Sequence, residues 1–529
     1  MTEIRVICTF ALENRVSFCY HRFMRSRASQ PCPAIKKKLI SLVHPSLKDS
    51  GAKIMLKKPI IYDYNNVVSN RIQSPAGISV EEIESYAKKV SEIHALLTEK
   101  RKGGHLPFYE LPYRKEEVKK IKSLAAEVKK EMGERLENMV VIGIGGSSLG
   151  GIALTKALAH PFYNFLSDTE RKNPKLFFAE NIDPDEIKGL LDILDPERTL
   201  VNIVSKSGDT AEPMANFLLF QKYMGEAIGE DNLKKQMIAT TDAKKGTMRG
   251  IAKELGIRTL TIPEGVGGRF SVLSSVGLFP ACMVGIDIES LLEGAAFMDK
   301  LSKREDMFQN PAYMNAIIHY HLHTKRGVNM AVMMPYSSQL AEVSVWYRQL
   351  LAESLGKKYS LSGEIVYAGQ TPIKAVGAID QHSQIQLYRE GPFDKIITIL
   401  GVDTFKNFLN IPSMYDSFEG TSYLGGHTLN ELFNAEKQAT VLALVKSGRP
   451  TIEINLPEVN PYTIGQLFYF YEVQTVFAGY LYDVNSLDQP GVEAGKQYAY
   501  GMLGRKGYEK TKEEVDAFPK RDGKCVIGQ

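Results

Sequence analysis

The chain has 529 residues, of which 44% are hydrophobic and 24% are charged, and its formal net charge is +4. This length predicts two or more domains, and the composition is typical of a globular protein. The small net charge argues against a nucleic-acid binder, which concentrates basic residues on one face. No apolar run is long enough to cross a bilayer.

The cysteines lack the spacing of a disulfide framework or a zinc site, which indicates a reducing compartment, and we expect a cytoplasmic protein. They are Cys8, Cys19, Cys32, Cys282 and Cys525.

Residues 1–54 differ from the rest of the chain, because they are rich in basic residues and contain few acidic ones. A targeting peptide is one interpretation, since such segments are rich in arginine and poor in acidic residues. Glu3 and Glu13 come early for such a peptide. We therefore favour a disordered extension, or a start codon placed too far upstream, with Met55 opening the first structured segment.

The pattern of apolar residues after Met55 predicts an α/β protein. Residues 55–134 have helical spacing, with helices expected over Val80–Lys100 and Lys115–Met132. Residues 135–300 alternate short apolar strands with helices, which predicts a parallel sheet covered on both faces. The strands are expected at Val140–Ile142, Leu176–Ala179, Leu200–Val204, QMIATTD and IRTLTIP.

A second cycle of strands and helices is predicted over residues 310–482. Its strands are expected in GVNMAVMMPYSSQL, FDKIITILGV and GRPTIEINLP, and a long aromatic helix is expected over Thr463–Tyr482. The sequence thus predicts two αβα sandwich domains in tandem, over 135–300 and 310–482. Residues 483–529 are expected to form a C-terminal arm.

The stretch VVIGIGGSSLGGIAL, Val140–Leu154, is typical of a strand, a tight turn and a helix. Glycines let the backbone approach a ligand closely, and Ser147 and Ser148 can cap the helix. The free N–H groups at the start of the helix favour an anion such as a phosphate. The alternative is a glycine-rich turn that binds nothing. Gly143, Gly145 and Gly146 do not complete a dinucleotide fingerprint, which argues against nucleotide binding.

A second polar turn, Ser205–Thr210, follows the strand at Leu200–Val204. Ligands of open α/β sheets bind at the carboxyl ends of the strands. Hydroxyl groups can hold phosphate oxygens, and Lys206 adds a positive charge. The alternative is that Ser207 or Asp209 only caps the next helix. If the two strands are neighbours, this turn and Ser147–Ser148 form one anion site.

Two charged residues stand in settings suited to catalysis. Arg269 lies in the glycine-rich stretch GVGGRFS, where an always-charged guanidinium suits an oxyanion or a phosphate. Glu353 lies at the end of an apolar helix starting near Ser338, on one face with Glu342 and Gln349. Burial of a carboxylate on such a helix suits a general base. The alternatives are a structural salt bridge for Arg269 and a solvated helix-end carboxylate for Glu353.

His382 and Lys496 are isolated polar residues that can move protons. Alone, His382 is equally well explained as a loop histidine, and Lys496 as a surface lysine. A cluster of histidines in a predicted helix is not expected to bind a metal, because residues two apart do not share a helical face. These are His319, His321 and His323.

The order of several motifs makes the chain similar to the glucose-6-phosphate isomerase family in its bacterial form, over about residues 60–505. The motifs are VVIGIGGSSLGG, SKSGDT, VGGRFSVLSSVGL, LLAESLGKKY, DQHSQIQLYREG and NSLDQPGVEAGK. The resemblance implies sugar-isomerase (SIS) sandwich domains and a homodimer. It also implies interconversion of glucose 6-phosphate and fructose 6-phosphate, without a metal or organic cofactor.

The resemblance further implies roles for single residues. Glu353 would move a proton between C2 and C1, and Arg269 would stabilise the enediolate. Lys496 and His382 would help to open the sugar ring, His382 coming from the neighbouring subunit. Substrate contacts are implied for Gly146, Ser147, Ser205, Lys206, Ser207, Thr210, Gln349 and Gln489.

Asp209 departs from the family pattern, which usually has a hydroxyl residue there. A carboxylate repels phosphate, so we expect Asp209 to point away from it or to cap the helix. The segment before Met55 has no counterpart in the bacterial pattern. Two alternatives stay open: an isomerase that also accepts mannose 6-phosphate, and a non-catalytic SIS module that senses sugar phosphates. The second predicts loss of the base, yet Glu353 is present.

Overall fold

The structure is a computed structural model that describes residues 57–72 and 74–528. The basic segment 1–54, with its cysteines and its interpretation as a targeting peptide, lies outside the described residues. The strands are β1 (Ile61–Asp63), β2 (Asn138–Ile142), β3 (Lys175–Ala179), β4 (Thr199–Val204), β5 (Met237–Asp242), β6 (Arg258–Ile262), β7 (Met330–Pro335), β8 (Lys357–Tyr359), β9 (Ile365–Ala368), β10 (Thr371–Lys374), β11 (Lys395–Val402) and β12 (Thr451–Leu456).

The α-helices cover both sheets and connect most of the strands. They are α1 (Val80–Glu84), α2 (Ala87–Lys102), α3 (Lys115–Met132), α4 (Leu149–Leu158), α5 (Asp168–Arg171), α6 (Pro184–Ile193), α7 (Ala211–Ile228), α8 (Glu230–Gln236), α9 (Thr247–Leu255), α10 (Ser275–Met283), α11 (Ile288–Ser302), α12 (Pro311–Arg326), α13 (Ala341–Leu355), α14 (Ile385–Glu390), α15 (Glu419–Ser422), α16 (Leu429–Lys446), α17 (Pro461–Leu481), α18 (Glu493–Met502) and α19 (Glu509–Asp516). Among the described residues, none of these helices combines the length and apolar character needed to span a bilayer.

The first sheet has the order β3-β2-β4-β5-β6, and all its strands are parallel. Every residue of β2, β4 and β5 is buried, as expected for a parallel sheet covered on both faces. The predicted α/β class is therefore confirmed, and the predicted strands lie within a residue or two of the observed ones. Because β2 and β4 are neighbours, the two polar turns that follow them lie at the same edge of the sheet.

The second sheet has the order β1-β12-β11-β7-β10. It is parallel except for β1, which pairs antiparallel with β12. The sequence did not predict β1 or β10, because each is too short to show a periodic pattern. The predicted helix Val80–Lys100 is two helices, since the chain turns at Ser85, whose hydroxyl donates a hydrogen bond to the carbonyl of Glu82.

The buried helix α17 organises the core. It packs against α11, where a Cβ on Gly465 would lie 1.8 Å from the carbonyl oxygen of Leu291. Only glycine permits backbones to approach so closely. On another face, Phe468 contacts Trp346 of α13, with ring centroids 4.5 Å apart. The helix that carries Gln349 and Glu353 thus packs against a helix in which nearly every residue is buried.

A fully buried carboxylate, that of Asp299 in α11, ties several segments together. It accepts hydrogen bonds from Arg101 at 2.6 Å, from Tyr113 at 2.5 Å and from Tyr469 of α17 at 2.6 Å. Lys303 forms an ion pair with it at 2.9 Å. A buried charge needs such partners, because an unpaired one is costly to bury.

Candidate active site

Two glycine-rich turns contact each other at the carboxyl edge of the first sheet. A Cβ on Gly146 would lie 2.3 Å from the carbonyl carbon of Gly268. Gly145 has a φ of +58°, and a Cβ there would lie 2.8 Å from Nε2 of Gln349. The glycines therefore allow the first turn, which ends at Ser147, to lie against both the arginine turn and α13.

The guanidinium of Arg269 is 6% exposed, and each of its nitrogens donates hydrogen bonds. Nη1 donates to Oε2 of Glu353 at 2.9 Å and to Oε1 of Gln489 at 2.8 Å. The remaining acceptors are Oγ of Ser354 at 3.0 Å and the carbonyl oxygens of Ser486 at 3.2 Å and Asp488 at 3.0 Å. Burial lowers the pKa of Arg269 and the Glu353 carboxylate opposes this shift; an arginine stays charged in either case.

The carboxylate of Glu353 is held from two sides in the last turn of α13. Its Oε2 pairs with Arg269, and its Oε1 accepts a hydrogen bond from Nε2 of Gln349 at 3.2 Å. The Glu353 side chain is 31% exposed, so a ligand can still reach it. It is therefore not the freely solvated carboxylate of the alternative interpretation. Glu342, on the same helix, pairs instead with Lys374 at 3.2 Å.

The hydroxyl groups of the second polar turn shape the turn itself. Oγ of Ser205 accepts a hydrogen bond from the backbone N–H of Gly208 at 3.1 Å, and Oγ of Ser207 accepts one from that of Asp209 at 3.1 Å. α7 then begins after Thr210, which makes no side-chain cap. Of the two expectations for Asp209, the helix cap is wrong, because its Oδ1 accepts a hydrogen bond from Thr247 of α9 at 3.2 Å.

Lys206 connects this turn to the arginine turn. Its Nζ donates to the carbonyl oxygen of Val266 at 2.9 Å, just before Gly267 and Arg269. The Ser205–Thr210 turn is therefore joined to the loop that carries Arg269.

Residues of the C-terminal segment after α17 contact both Arg269 and the Ser205–Thr210 turn. Gln489 contacts Arg269, and α18 follows shortly afterwards. In α18, Nζ of Lys496 pairs with Glu493 at 2.9 Å, and the hydroxyl of Tyr500 donates to the carbonyl oxygen of Asp209 at 2.9 Å. The helix that carries Lys496 therefore lies against the Ser205–Thr210 turn.

His382 is apart from the other predicted residues. It lies in an exposed turn, where its backbone N–H donates to the carbonyl of Ile379 at 3.1 Å. Within the described part of the chain, no hydrogen bond or ion pair joins its side chain to Arg269, Glu353 or Lys496.

Sequence reasoning missed two polar contacts around the site. Ser148 was expected to cap α4, but its hydroxyl donates to Oε2 of Glu180 at 3.0 Å, and burial raises the pKa of Glu180. Lys357 was also missed, although it stands in the LLAESLGKKY motif. Its Nζ donates to the carbonyl oxygens of Glu353 at 2.6 Å and Ser354 at 2.7 Å. Its position four residues after Glu353 was the available signal.

The three histidines of α12 bind different neighbours. Nδ1 of His319 is 2.9 Å from Gln370, Nδ1 of His321 is 3.2 Å from Tyr86, and Nδ1 of His323 is 2.9 Å from Tyr482. Among residues 57–72 and 74–528, no group of histidine, cysteine and acidic side chains has the arrangement of a metal site.

The site combines the groups that proton transfer between adjacent carbons requires. A partly exposed carboxylate, Glu353, can accept a proton and return it. A buried cation, Arg269, is fixed beside it and can stabilise negative charge on oxygen. Loops with hydroxyl and backbone N–H groups lie next to both, at the sheet edge where anions bind.

Comparison with known proteins gives a consistent result. Residues 111–518 match the family described as phosphoglucose isomerase. A glucose-6-phosphate isomerase of Carboxydothermus hydrogenoformans is 45% identical over 454 residues, which cover 86% of this chain and 96% of that protein. One of Rubrobacter xylanophilus is 43% identical over 450 residues, which cover 85% of this chain and 99% of that protein.

Solved structures extend the comparison. A hypothetical protein from Thermus thermophilus is similar with a TM-score of 0.74 and 34% identity, over 84% of this chain and 99% of that one. A glucose-6-phosphate isomerase from Chlamydia trachomatis has a TM-score of 0.68 and 22% identity, over 92% of this chain and 98% of that one, which supports the fold alone. From the family match and the identity to full-length relatives, the chain belongs to the phosphoglucose isomerase family.

Proposed function

We propose that this protein interconverts D-glucose 6-phosphate and D-fructose 6-phosphate, by ring opening and proton transfer through a cis-enediol(ate). The observation that carries the proposal is the contact between Glu353 and Arg269 beside the Ser205–Thr210 turn. Its relatives named glucose-6-phosphate isomerase support the choice of substrate. The reaction belongs to glycolysis and gluconeogenesis, and we place the protein in the cytoplasm.

In this mechanism Glu353 takes a proton from one carbon of the open-chain sugar and returns it to the neighbouring carbon. The intermediate carries negative charge on oxygen, and the Arg269 cation stabilises it. Because hydrogen bonds hold Arg269 before the substrate arrives, no reorganisation is needed during the reaction. Gln349 and Gln489, which contact Glu353 and Arg269, are proposed to contact the sugar. The mechanism uses no metal or organic cofactor.

We propose that the two polar turns bind the phosphate group. Gly146 and Ser147 would contribute from the first turn, and Ser205, Ser207 and Thr210 from the second. Lys206 would add positive charge while its contact with the carbonyl of Val266 fixes the turn. Binding energy from the phosphate is remote from the reacting carbons and serves to orient them.

We propose a homodimer in which His382 of one subunit and Lys496 of the other help to open the sugar ring. The exposure of His382 supports this arrangement, because its side chain is free to approach a second copy. Exposed aromatic residues in one segment also favour an interface, since monomers rarely expose large apolar patches. They are Phe408 at 68%, Tyr415 at 67%, Phe418 at 64% and Tyr423 at 65% exposure.

Mixing two inactive variants tests the shared site. Glu353→Gln and His382→Ala should each be inactive, and co-refolded mixtures should recover about a quarter of the parental rate, because half the dimers are mixed and have one intact site. The matched control mixes Glu353→Gln with Arg269→Met. These residues contact each other within one chain, so every site of the mixed dimer stays defective. An active monomer by light scattering, or no recovery in the first mixture, would contradict the shared site.

Asp209 provides a test of how the phosphate turn is built. Asp209→Thr should change KM for fructose 6-phosphate by no more than about 2-fold, because the carboxylate is exposed and bonded to Thr247. Steady-state kinetics measure this change, with Thr247→Val as the variant that removes the same contact from the other side. A markedly lower KM for Asp209→Thr would mean that the carboxylate faces the phosphate.

We also propose the domain division 55–134, 135–300, 310–482 and 483–529. The sheets support it, since β2–β6 lie within 135–300 and β7 to β12 lie within 310–482. The exception is β1, which extends the second sheet from the first of these segments.

A further inference from the structure

A buried lysine lies directly behind the proposed base. Lys357 is the first residue of β8, and its side chain is 5% exposed. Its Nζ donates to the carbonyl oxygens of Glu353 at 2.6 Å and Ser354 at 2.7 Å. Carbonyls in the last turn of a helix have no intrahelical partner, and a cation at that end interacts favourably with the helix dipole. Lys357 therefore holds the end of α13.

The same ammonium group faces the segment that holds Arg269. Oδ1 of Asp488 is 3.7 Å from Nζ of Lys357, and its Oδ2 accepts a hydrogen bond from Asn485 at 2.7 Å. The carbonyl oxygen of Asp488 accepts from Arg269, and so does the side chain of the next residue, Gln489. The Lys357 side chain thus connects the backbone of Glu353 to Asp488, whose carbonyl oxygen accepts a hydrogen bond from Arg269.

We propose that Lys357 is a positioning residue for the isomerisation, which sets the Glu353 carboxylate relative to the Arg269 guanidinium by joining the end of α13 to Asp488. The inference rests on the proposed function. Lys357 does not reach the substrate in this scheme. It acts through Glu353, whose carboxylate must lie within a fraction of an ångström of its productive position, because small misplacements of a catalytic group cost rate rather than affinity.

The positioning role depends on the positive charge of Lys357. The charged groups facing it are Asp488 from the arm, Arg269 from the glycine-rich turn and Glu353 from α13. Burial lowers the pKa of Lys357 to about 8, against the opposing effect of Asp488. The ion pair with Asp488 is therefore present at neutral and lower pH, and it is progressively lost as the pH rises through about 8.

The first experiment compares Lys357→Met with Lys395→Met. Lys395 is a matched control, because it is also a buried lysine at the start of a strand, pairs with Asp394 and lies away from the site. We expect Lys357→Met to lower kcat by roughly 10- to 100-fold with KM within about 2-fold of the parent. The Kd of sorbitol 6-phosphate, which has no carbonyl group to isomerise, should stay unchanged, because the phosphate turn is untouched. The control should retain the parental kcat.

A second experiment separates the effect of the positive charge of Lys357 on kcat from the effect of its packing. Lys357→Arg keeps a charge that does not titrate below pH 12. We expect it to recover most of kcat, and we expect the decline of the parental kcat above pH 8 to move to higher pH in this variant. Asp488→Asn, which leaves Lys357 and the helix end in place, should lower kcat by about 3- to 10-fold with little change in KM.

The outcomes distinguish this inference from the proposed function. A folded parent that converts no fructose 6-phosphate removes the proposed function. An active parent whose Lys357→Met variant matches Lys395→Met in kcat overturns the role of Lys357. If Lys357→Met does not fold by circular dichroism, Asp488→Asn decides, and a parental kcat with an unchanged pH profile overturns the inference.

Discussion

Glu353→Gln is expected to lower kcat for the conversion of fructose 6-phosphate to glucose 6-phosphate by roughly 10²- to 10⁴-fold. The amide has the shape of the carboxylate, and its oxygen can still accept a hydrogen bond from Arg269. Its NH2 group then faces Gln349, whose own amide can turn to accept, so substrate affinity should change little. It cannot accept a proton from carbon, so the chemical step loses its base. A coupled assay that reports glucose 6-phosphate measures both parameters.

The control for this prediction lies on the same helix. Glu342→Gln removes a carboxylate that pairs with Lys374 rather than with Arg269, and it should retain most of the activity. An undiminished rate in Glu353→Gln, or no activity in the parent, would remove the catalytic proposal. Mannose 6-phosphate in the same assay tests whether the specificity is broader.

Asp299→Ala is expected to lower the free energy of unfolding by about 3–5 kcal/mol, the usual cost of breaking a buried charge network from one side. The substitution removes the acceptor that the Arg101 guanidinium shares with the hydroxyls of Tyr113 and Tyr469. Urea denaturation followed by circular dichroism measures the loss. Asp287→Ala, which removes an exposed N-cap from the same helix, should cost only about 1 kcal/mol.

The stability contributed by Asp299 should depend on pH. Burial opposes ionisation, but hydrogen bonds from Arg101, Tyr113 and Tyr469 hold the pKa of Asp299 below its ordinary value of 3.8. A carboxyl group whose pKa is lower in the folded state stabilises the fold above the unfolded pKa. The difference in free energy of unfolding between the parent and Asp299→Ala should therefore be constant near neutral pH and shrink as the pH falls below about 4. If Asp299→Ala lost no more free energy of unfolding at pH 7 than Asp287→Ala, the stabilising role of the Asp299 network would be contradicted.

The sequence predicted best what short-range patterns determine. Apolar runs identified the strands of the first sheet, and the polar turns predicted after β2 and β4 lie at one edge, because the two strands are parallel neighbours. The class of the fold followed from the alternation of strands and helices. The three residues of β1 and the four of β10 carry no such pattern, and only their pairing partners make them strands.

Contacts between distant segments were beyond the residue patterns themselves. The pairing of Arg269 with Glu353 joins residues 84 apart, and only the resemblance to a family suggested that they act together. For Asp209 the sequence left open a helix cap or a side chain that points away from the phosphate. The cap is wrong, because the carboxylate accepts a hydrogen bond from the hydroxyl of Thr247 on another helix. Lys357 was overlooked because its partners are backbone carbonyls, which have no residue type to recognise, and its spacing of four residues from Glu353 was the one available signal.

The antiparallel strand β1 determines how far the protein can be shortened from its N-terminus. It covers the outer side of β12, and just before it the backbone N–H of Ile60 and the carbonyl of Lys58 bond to Gln466. A shortened chain that begins at Lys57 keeps these contacts. One that begins after Asn65 would expose the unpaired backbone groups of β12, and such open edges recruit strands from other molecules and cause aggregation.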